Sequence, residues 1–120
     1  IKDFGLFTDM GMINQEISKI FSKLKSVLIE ANYDYEMLIN GRYPYFLKKR
    51  ISSDIGHMDN KETCEFIQKK GNHLDLTLLG HLSENNNSPK ILKKTFESMV
   101  SHKIEYEICS RKRETGTWKI

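Results

Sequence analysis

The chain has 120 residues, of which 38% are hydrophobic and 29% charged, with a formal net charge of +3. That is enough apolar material for one domain with a buried core, and it excludes a disordered chain. The mild basic balance describes a solvated surface and does not by itself make a nucleic-acid binder. No apolar run is long enough to span a bilayer, and no signal peptide is recognisable. Cys64 and Cys109 stand far apart in sequence and form neither a disulfide framework nor a zinc knuckle. They point to a reducing, cytoplasmic compartment. The chain begins at Ile1 rather than Met, a sign of a processed chain or a fragment.

In chain order, Phe4, Leu6 and Phe7 predict a short strand closed by Thr8-Asp9, with Gly11 allowing a turn. Ile13, Ile17, Ile20, Phe21 and Leu24 recur at helical spacing. Val27 to Ile29 is a β-branched run ending at Glu30, which predicts a buried strand with an acid at its tip. Asp34 to Ser53 is mainly helical, broken near Gly41 and Pro44, with Pro44 expected in the first turn of a new helix. Asp54 to His57 is a turn. Asp59 and Glu62 form a capping-box pattern ahead of a helix to about Lys70, stopped by Gly71-Asn72. Leu74 to Leu79 predicts a strand ending at His81. Asn85-Asn86-Asn87 reads as a loop. Ser88 caps and Pro89 starts a helix with Ile91, Leu92, Phe96, Met99 and Val100 on one side. Ile104, Tyr106 and Ile108 alternate with charged residues as a half-exposed strand, and Glu114 to Ile120 reads as its hairpin partner, with a turn near Arg113. Strands alternating with helices predict an α/β sheet layered with helices.

Three strands thus end alike, at Asp9, Glu30 and His81. In α/β folds the crevice outside the carboxyl ends of the strands is where ligands bind. His57, in a glycine-containing turn, can approach the same edge. Imidazole and carboxylate together suit a divalent metal such as zinc or manganese, and a carboxylate beside a second imidazole makes an oriented general acid. Each residue also has a plainer reading. Asp9 can cap the following helix, Glu30 can pair with a lysine, and His57 can serve its turn. His73 and His102 lie next to helix ends and read as structural or solvent-exposed. Arg42, Lys48, Lys49 and Arg50 read as a solvated face, or as a phosphate-binding group.

The stretches TDMG (Thr8 to Gly11), LIEANYDYEMLINGRYPYFLKKRISSDIGHMDN (Leu28 to Asn60) and LGHLSENN (Leu79 to Asn86) resemble the metallo-β-lactamase-fold hydrolases of the YycJ (WalJ) type. The resemblance runs over nearly the whole chain, and its long middle block is its most specific part. It implies that Asp9 bridges two divalent metal ions, that His81 is the last metal ligand, and that Glu30 and His57 form a pair near the leaving group. It implies a phosphodiesterase or nuclease in which the metals, zinc or manganese, activate a hydroxide for in-line attack. His57, held by Glu30, would protonate the departing oxygen. Arg42, Lys48, Lys49 and Arg50 would position a nucleic-acid backbone.

The family usually has His where Tyr33 stands and Ser where Asp59 stands, differences expected to bear on substrate contact. A larger departure is the missing HxHxDH motif on which the family's metal site chiefly rests. Asp9 and His81 alone fall short of the roughly three protein ligands a catalytic zinc takes. The expected fold is therefore α/β, the C-terminal half of an αββα sandwich with a mixed sheet flanked by helices, and residues 1–120 form a single partial domain. The isolated chain is expected to be inactive and to lack metal. Its bare sheet face would meet the N-terminal half of the same domain, or a second copy of the chain. Two rival readings stand beside this one: a non-enzymatic α/β binding or assembly module with relic metal residues, and a hydrolase of a small ester or thioester.

Overall fold

A computed structural model of the chain describes residues 3–110. Four strands and five helices follow one another as β1 (Phe4–Phe7), α1 (Gln15–Phe21), β2 (Ser26–Glu30), α2 (Tyr35–Asn40), α3 (Tyr45–Ile51), α4 (Asn60–Lys70), β3 (Leu76–Gly80), α5 (Pro89–Met99) and β4 (Glu105–Ile108). The strands form one sheet in the order β1-β2-β3-β4, and every pairing is parallel. The described sheet is thus parallel where a mixed one is expected. The tail expected to supply an antiparallel partner lies outside the described residues.

Local chemistry sets the helix boundaries. Asn14, Asp34, Asp59 and Ser88 each accept the backbone N–H three residues ahead, satisfying a donor that the first turn leaves open. Asn14, not Asp9, caps α1. Pro89 opens α5 at its first position, whereas Pro44 stands one step earlier than expected, as the residue before Tyr45. Gly71 closes α4 by donating its N–H to the Ile67 carbonyl.

Strand alternation then sorts the side chains onto two faces. One face carries Val27, Ile29 and Leu79, all at most 1% exposed. They join Phe21 of α1, Cys64 and Ile67 of α4, and Leu92 and Phe96 of α5 in a single core. Phe96 stacks on Tyr106 with ring centroids 4.0 Å apart, fastening α5 to β4. Each such large apolar side chain contributes roughly 1.5–3 kcal/mol by leaving water. The opposite face presents Leu6, Leu28 and Leu78 in one register row. None of these belongs to that core, and Leu6 is 65% exposed. Parallel sheets are ordinarily covered on both faces.

Two glycines set the loops at the carboxyl edge of the sheet. A Cβ on Gly11 would collide with the backbone of Ser53 and Asp54, and one on Gly56 with the carbonyls of Arg50 and Ile51. Without side chains there, the loop after β1 lies against the turn after α3, and the His57 N–H reaches the Ile51 carbonyl at 2.9 Å.

Candidate metal centre at the strand tips

Asp9 follows β1 by two residues, Glu30 ends β2, and His81 follows β3 by one. Parallel pairing in register brings these three tips together, and the turn after α3 brings His57 to them. One ligand atom from each of Asp9, Glu30, His57 and His81 lies within 4.8 Å of every other.

Glu30 is the hub, and it is fully buried. Its Oε1 accepts from His57 Nδ1 at 2.8 Å, from His81 Nδ1, and from the Asp9 N–H at 3.4 Å. Its Oε2 accepts from the Met58 N–H at 3.3 Å. A buried carboxylate needs such partners to offset the water it has lost. Because carboxylate oxygens accept, both imidazoles donate through Nδ1 and keep Nε2 for the cavity, a tautomer assignment that follows from the hydrogen bonds. The plainer pairing of Glu30 with a lysine does not occur.

The donor set fits a divalent cation. Two ligands about 2.0–2.1 Å from one ion can stand at most about 4.2 Å apart. His81 Nε2 and Asp9 Oδ1 are 3.9 Å apart. An imidazole that gives its other ring nitrogen to a carboxylate is the usual arrangement of a metal-binding histidine. Asp9, His57 and His81 also line a cavity of about 680 Å³, with Asn32, Tyr43, Ile51 and Asn85 among its other walls.

The chain is 33% identical over 122 aligned residues to the exodeoxyribonuclease WalJ of Streptococcus pneumoniae, in strains D39 and R6 alike. That alignment takes in 97% of this chain and 45% of the relative. It is 29% identical over 106 residues to the exodeoxyribonuclease YycJ of Bacillus anthracis, across 85% of this chain and 39% of that protein. These likenesses over most of the chain support a YycJ/WalJ-type protein. It spans less than half the length of these relatives. No family model matches it.

The four basic residues singled out in the sequence stand apart from the strand tips. None of Arg42, Lys48, Lys49 and Arg50 lines the site cavity. Lys48 donates to the Ile39 carbonyl at 2.7 Å and, with Lys49, borders a separate groove on the other side of α3. Tyr33 and Asp59, where the sequence departs from the resembling family, pair with each other in an isolated parallel bridge. Neither lines the cavity. Burial, and then the charge of Asp59, push the Tyr33 hydroxyl pKa upward. His73 and His102 are structural: their Nε2 atoms bond the Phe21 and Ile67 carbonyls at 3.1 and 3.2 Å.

Several polar residues that support the site are not singled out by the sequence reading. Asn32, two residues past the β2 tip, donates to the His81 carbonyl at 2.6 Å. Asn60 and Asn87, both buried, exchange reciprocal amide bonds of 2.9 Å, and Asn87 also reaches the Ala31 carbonyl at 3.0 Å. The Thr63 hydroxyl bonds the Glu30 carbonyl at 2.7 Å. An amide directly after a strand, as at Asn32, was a usable signal. Nothing local marks Asn60 and Asn87 as a pair.

Proposed function

We propose that this chain carries part of the active site of a metal-dependent phosphodiesterase, a nuclease acting on DNA. The observation that carries the reading is the convergence of Asp9, His57 and His81 on one cavity around the buried Glu30. The names of the relatives, both exodeoxyribonucleases, support the substrate class.

Asp9 and His81 would hold divalent metal, zinc or manganese, through Oδ1 and Nε2. When bound, such ions supply Lewis acidity and lower the pKa of water. Glu30 fixes the tautomer and orientation of both imidazoles. His57, protonated, donates Nδ1–H to Glu30 and offers Nε2–H to the leaving oxygen as general acid. Exposed Arg42, Lys49 and Arg50 hold phosphates of the strand further from the reacting atoms. The fold is the C-terminal half of a metallo-β-lactamase sandwich. A second layer, the N-terminal half of the same domain, packs on the face that carries Leu6 and Leu28. Because Asp9 and His81 are fewer ligands than a catalytic zinc takes, the chain alone is inactive.

The test is metal content and hydrolysis by the full natural protein, before and after chelation, with Asp9→Asn and His81→Ala beside it. Bound metal with chelator-sensitive cleavage of DNA, lost in both variants, is expected. Cleavage that survives chelation, or a metal-free protein that hydrolyses thioesters but not phosphodiesters, would overturn the reading.

A further inference from the structure

Helix α3 separates two depressions. Tyr43, just before it, and Ile51, its last residue, line the cavity of the strand-tip cluster. Its other side, with α2, forms a groove of about 350 Å³ lined by Tyr35, Ile39, Tyr45, Lys48, Lys49 and Ser52. No carboxylate lines this groove. The surface around it breaks the usual rule that large apolar side chains withdraw from water. Tyr45 is 78% exposed and the adjacent Phe46 73%. The last turn of the same helix is Lys48, Lys49 and Arg50, and its first turn holds no acid. Lys48 is tied to the α2 carbonyl end, which leaves Lys49, Arg50 and Arg42 as the exposed basic charges, with Glu36 of α2 an exposed acid.

Exposed aromatic rings one helical turn from cations match the needs of one ligand class. An unpaired nucleotide presents a flat π-face and a phosphate at short, regular spacing; rings stack on the first and cations hold the second. A duplex buries its base faces and would leave the rings without partners. From this complementarity we infer that Tyr45 and Phe46 form a stacking platform for single-stranded nucleic acid, with Lys49 and Arg50 on its phosphates. The inference rests on the nuclease reading and deepens it: the strand held on α3 is the one that continues around the helix into the cavity of Asp9, His57 and His81.

The test uses the full natural protein in chelator, so that binding is read without cleavage, with a fluorescein-labelled oligothymidylate as probe. Stacking is worth about 1–3 kcal/mol per base, so Y45A/F46A should bind it about tenfold more weakly, or worse. Y45W/F46W should bind nearly as wild type, since any aromatic ring stacks. An abasic strand should bind wild type and Y45A/F46A equally, and duplex affinity should not change. Unchanged oligothymidylate affinity in Y45A/F46A would overturn the platform. So would an equal loss on duplex, which would mean contact with phosphate alone. Tyr45 resisting nitration in the nucleic-acid-free protein would also overturn it, because another part of the polypeptide then covers the ring. Wild-type hydrolysis of bis(p-nitrophenyl) phosphate, too small to reach Tyr45 and Phe46 from the cavity, tests the phosphodiesterase reading separately. If that is absent while ring-dependent strand binding persists, the nuclease reading fails and the platform stands.

Discussion

Asp9 and His81 share a backbone conformation that few residues adopt. Their φ angles are 57° and 58°, on the tips of β1 and β3, with the whole of β2 between them. Among the described residues only Asp3 joins them as a non-glycine with positive φ. The left-handed region costs an L-residue roughly 1–2 kcal/mol, and it is concentrated where a site demands it. Here it turns a carboxylate and an imidazole toward each other to 3.9 Å, instead of letting each continue along its strand.

Glycine relieves that strain and alanine does not. His81→Gly is expected to be more stable than His81→Ala by about 1 kcal/mol, since both lose the bond to Glu30 and only the alanine keeps the strained φ. Chemical denaturation of the two variants measures it. Equal stabilities would mean that position 81 relaxes to an ordinary backbone.

Glu30→Gln keeps the shape of the hub and changes its chemistry. The amide has one accepting oxygen and one donating nitrogen, so at least one of its present N–H partners meets a donor. Stability should fall by about 1–3 kcal/mol, the cost of an unsatisfied buried group. Zinc affinity should fall about 10–100-fold although Asp9 and His81 are intact. Calorimetric titration of the full protein reads the second effect, and unaltered affinity would remove Glu30 from its positioning role.

The reciprocal pair Asn60–Asn87 should behave as a unit. Either single change to alanine strands a buried amide and should cost about 1–3 kcal/mol. The double change should cost less than the sum, with a coupling of about 0.5–3 kcal/mol in a double-mutant cycle. Additive losses would mean the two amides do not depend on each other.

Glu62 gives a pH signature. Partial burial, and then the charge of Asp59, raise its carboxyl to about 7 from 4.5. The folded state therefore binds its proton more tightly than the unfolded state does. The stability this contributes is complete below about pH 4.5 and is lost as pH rises through about 7. Glu62 is nonetheless an exposed residue, so solvent screens much of the effect. Glu62→Gln should melt at a higher temperature than wild type at pH 8, with the gap closing by pH 4. A gap that does not vary with pH would contradict this.

Burial, then Asp59, push the Cys64 thiol up to about 12. Very little thiolate forms at neutral pH, and the sulfur has no exposed surface. In peptide mapping after mild alkylation, Cys64 should be unlabelled in the native protein and fully labelled once it is unfolded. Rapid native labelling would place it outside the core.

Much of this was legible in the residues. The apolar bodies of β2 and β3 and their ionisable ends announce buried strands pointing at a site. Gly41 and Pro44 divide α2 from α3, and Asp59 and Ser88 mark helix starts by capping chemistry. What could not be read is anything that depends on strand neighbours. That Glu30 takes both imidazoles follows from β2 lying between β1 and β3, and no local pattern encodes that order. Asn87 looks like one more polar loop residue until its amide is seen against Asn60. The parallel pairing of β4 was hidden too, because alternation at Tyr106 and Ile108 fits a strand of either direction.

The partners of the Glu30 carboxylate lie 21, 27, 28 and 51 residues away along the chain. No stretch shorter than Asp9 to His81 contains the constellation. As the polypeptide leaves the ribosome, β1, β2 and their helices can gather first, but His81 reaches Glu30 only when β3 docks beside β2. Until then the donors are scattered, and an unfinished chain has no concerted grip on a passing cation. On the metal-dependent reading proposed above, ion capture would wait for completed strand order, an inspection step built into folding.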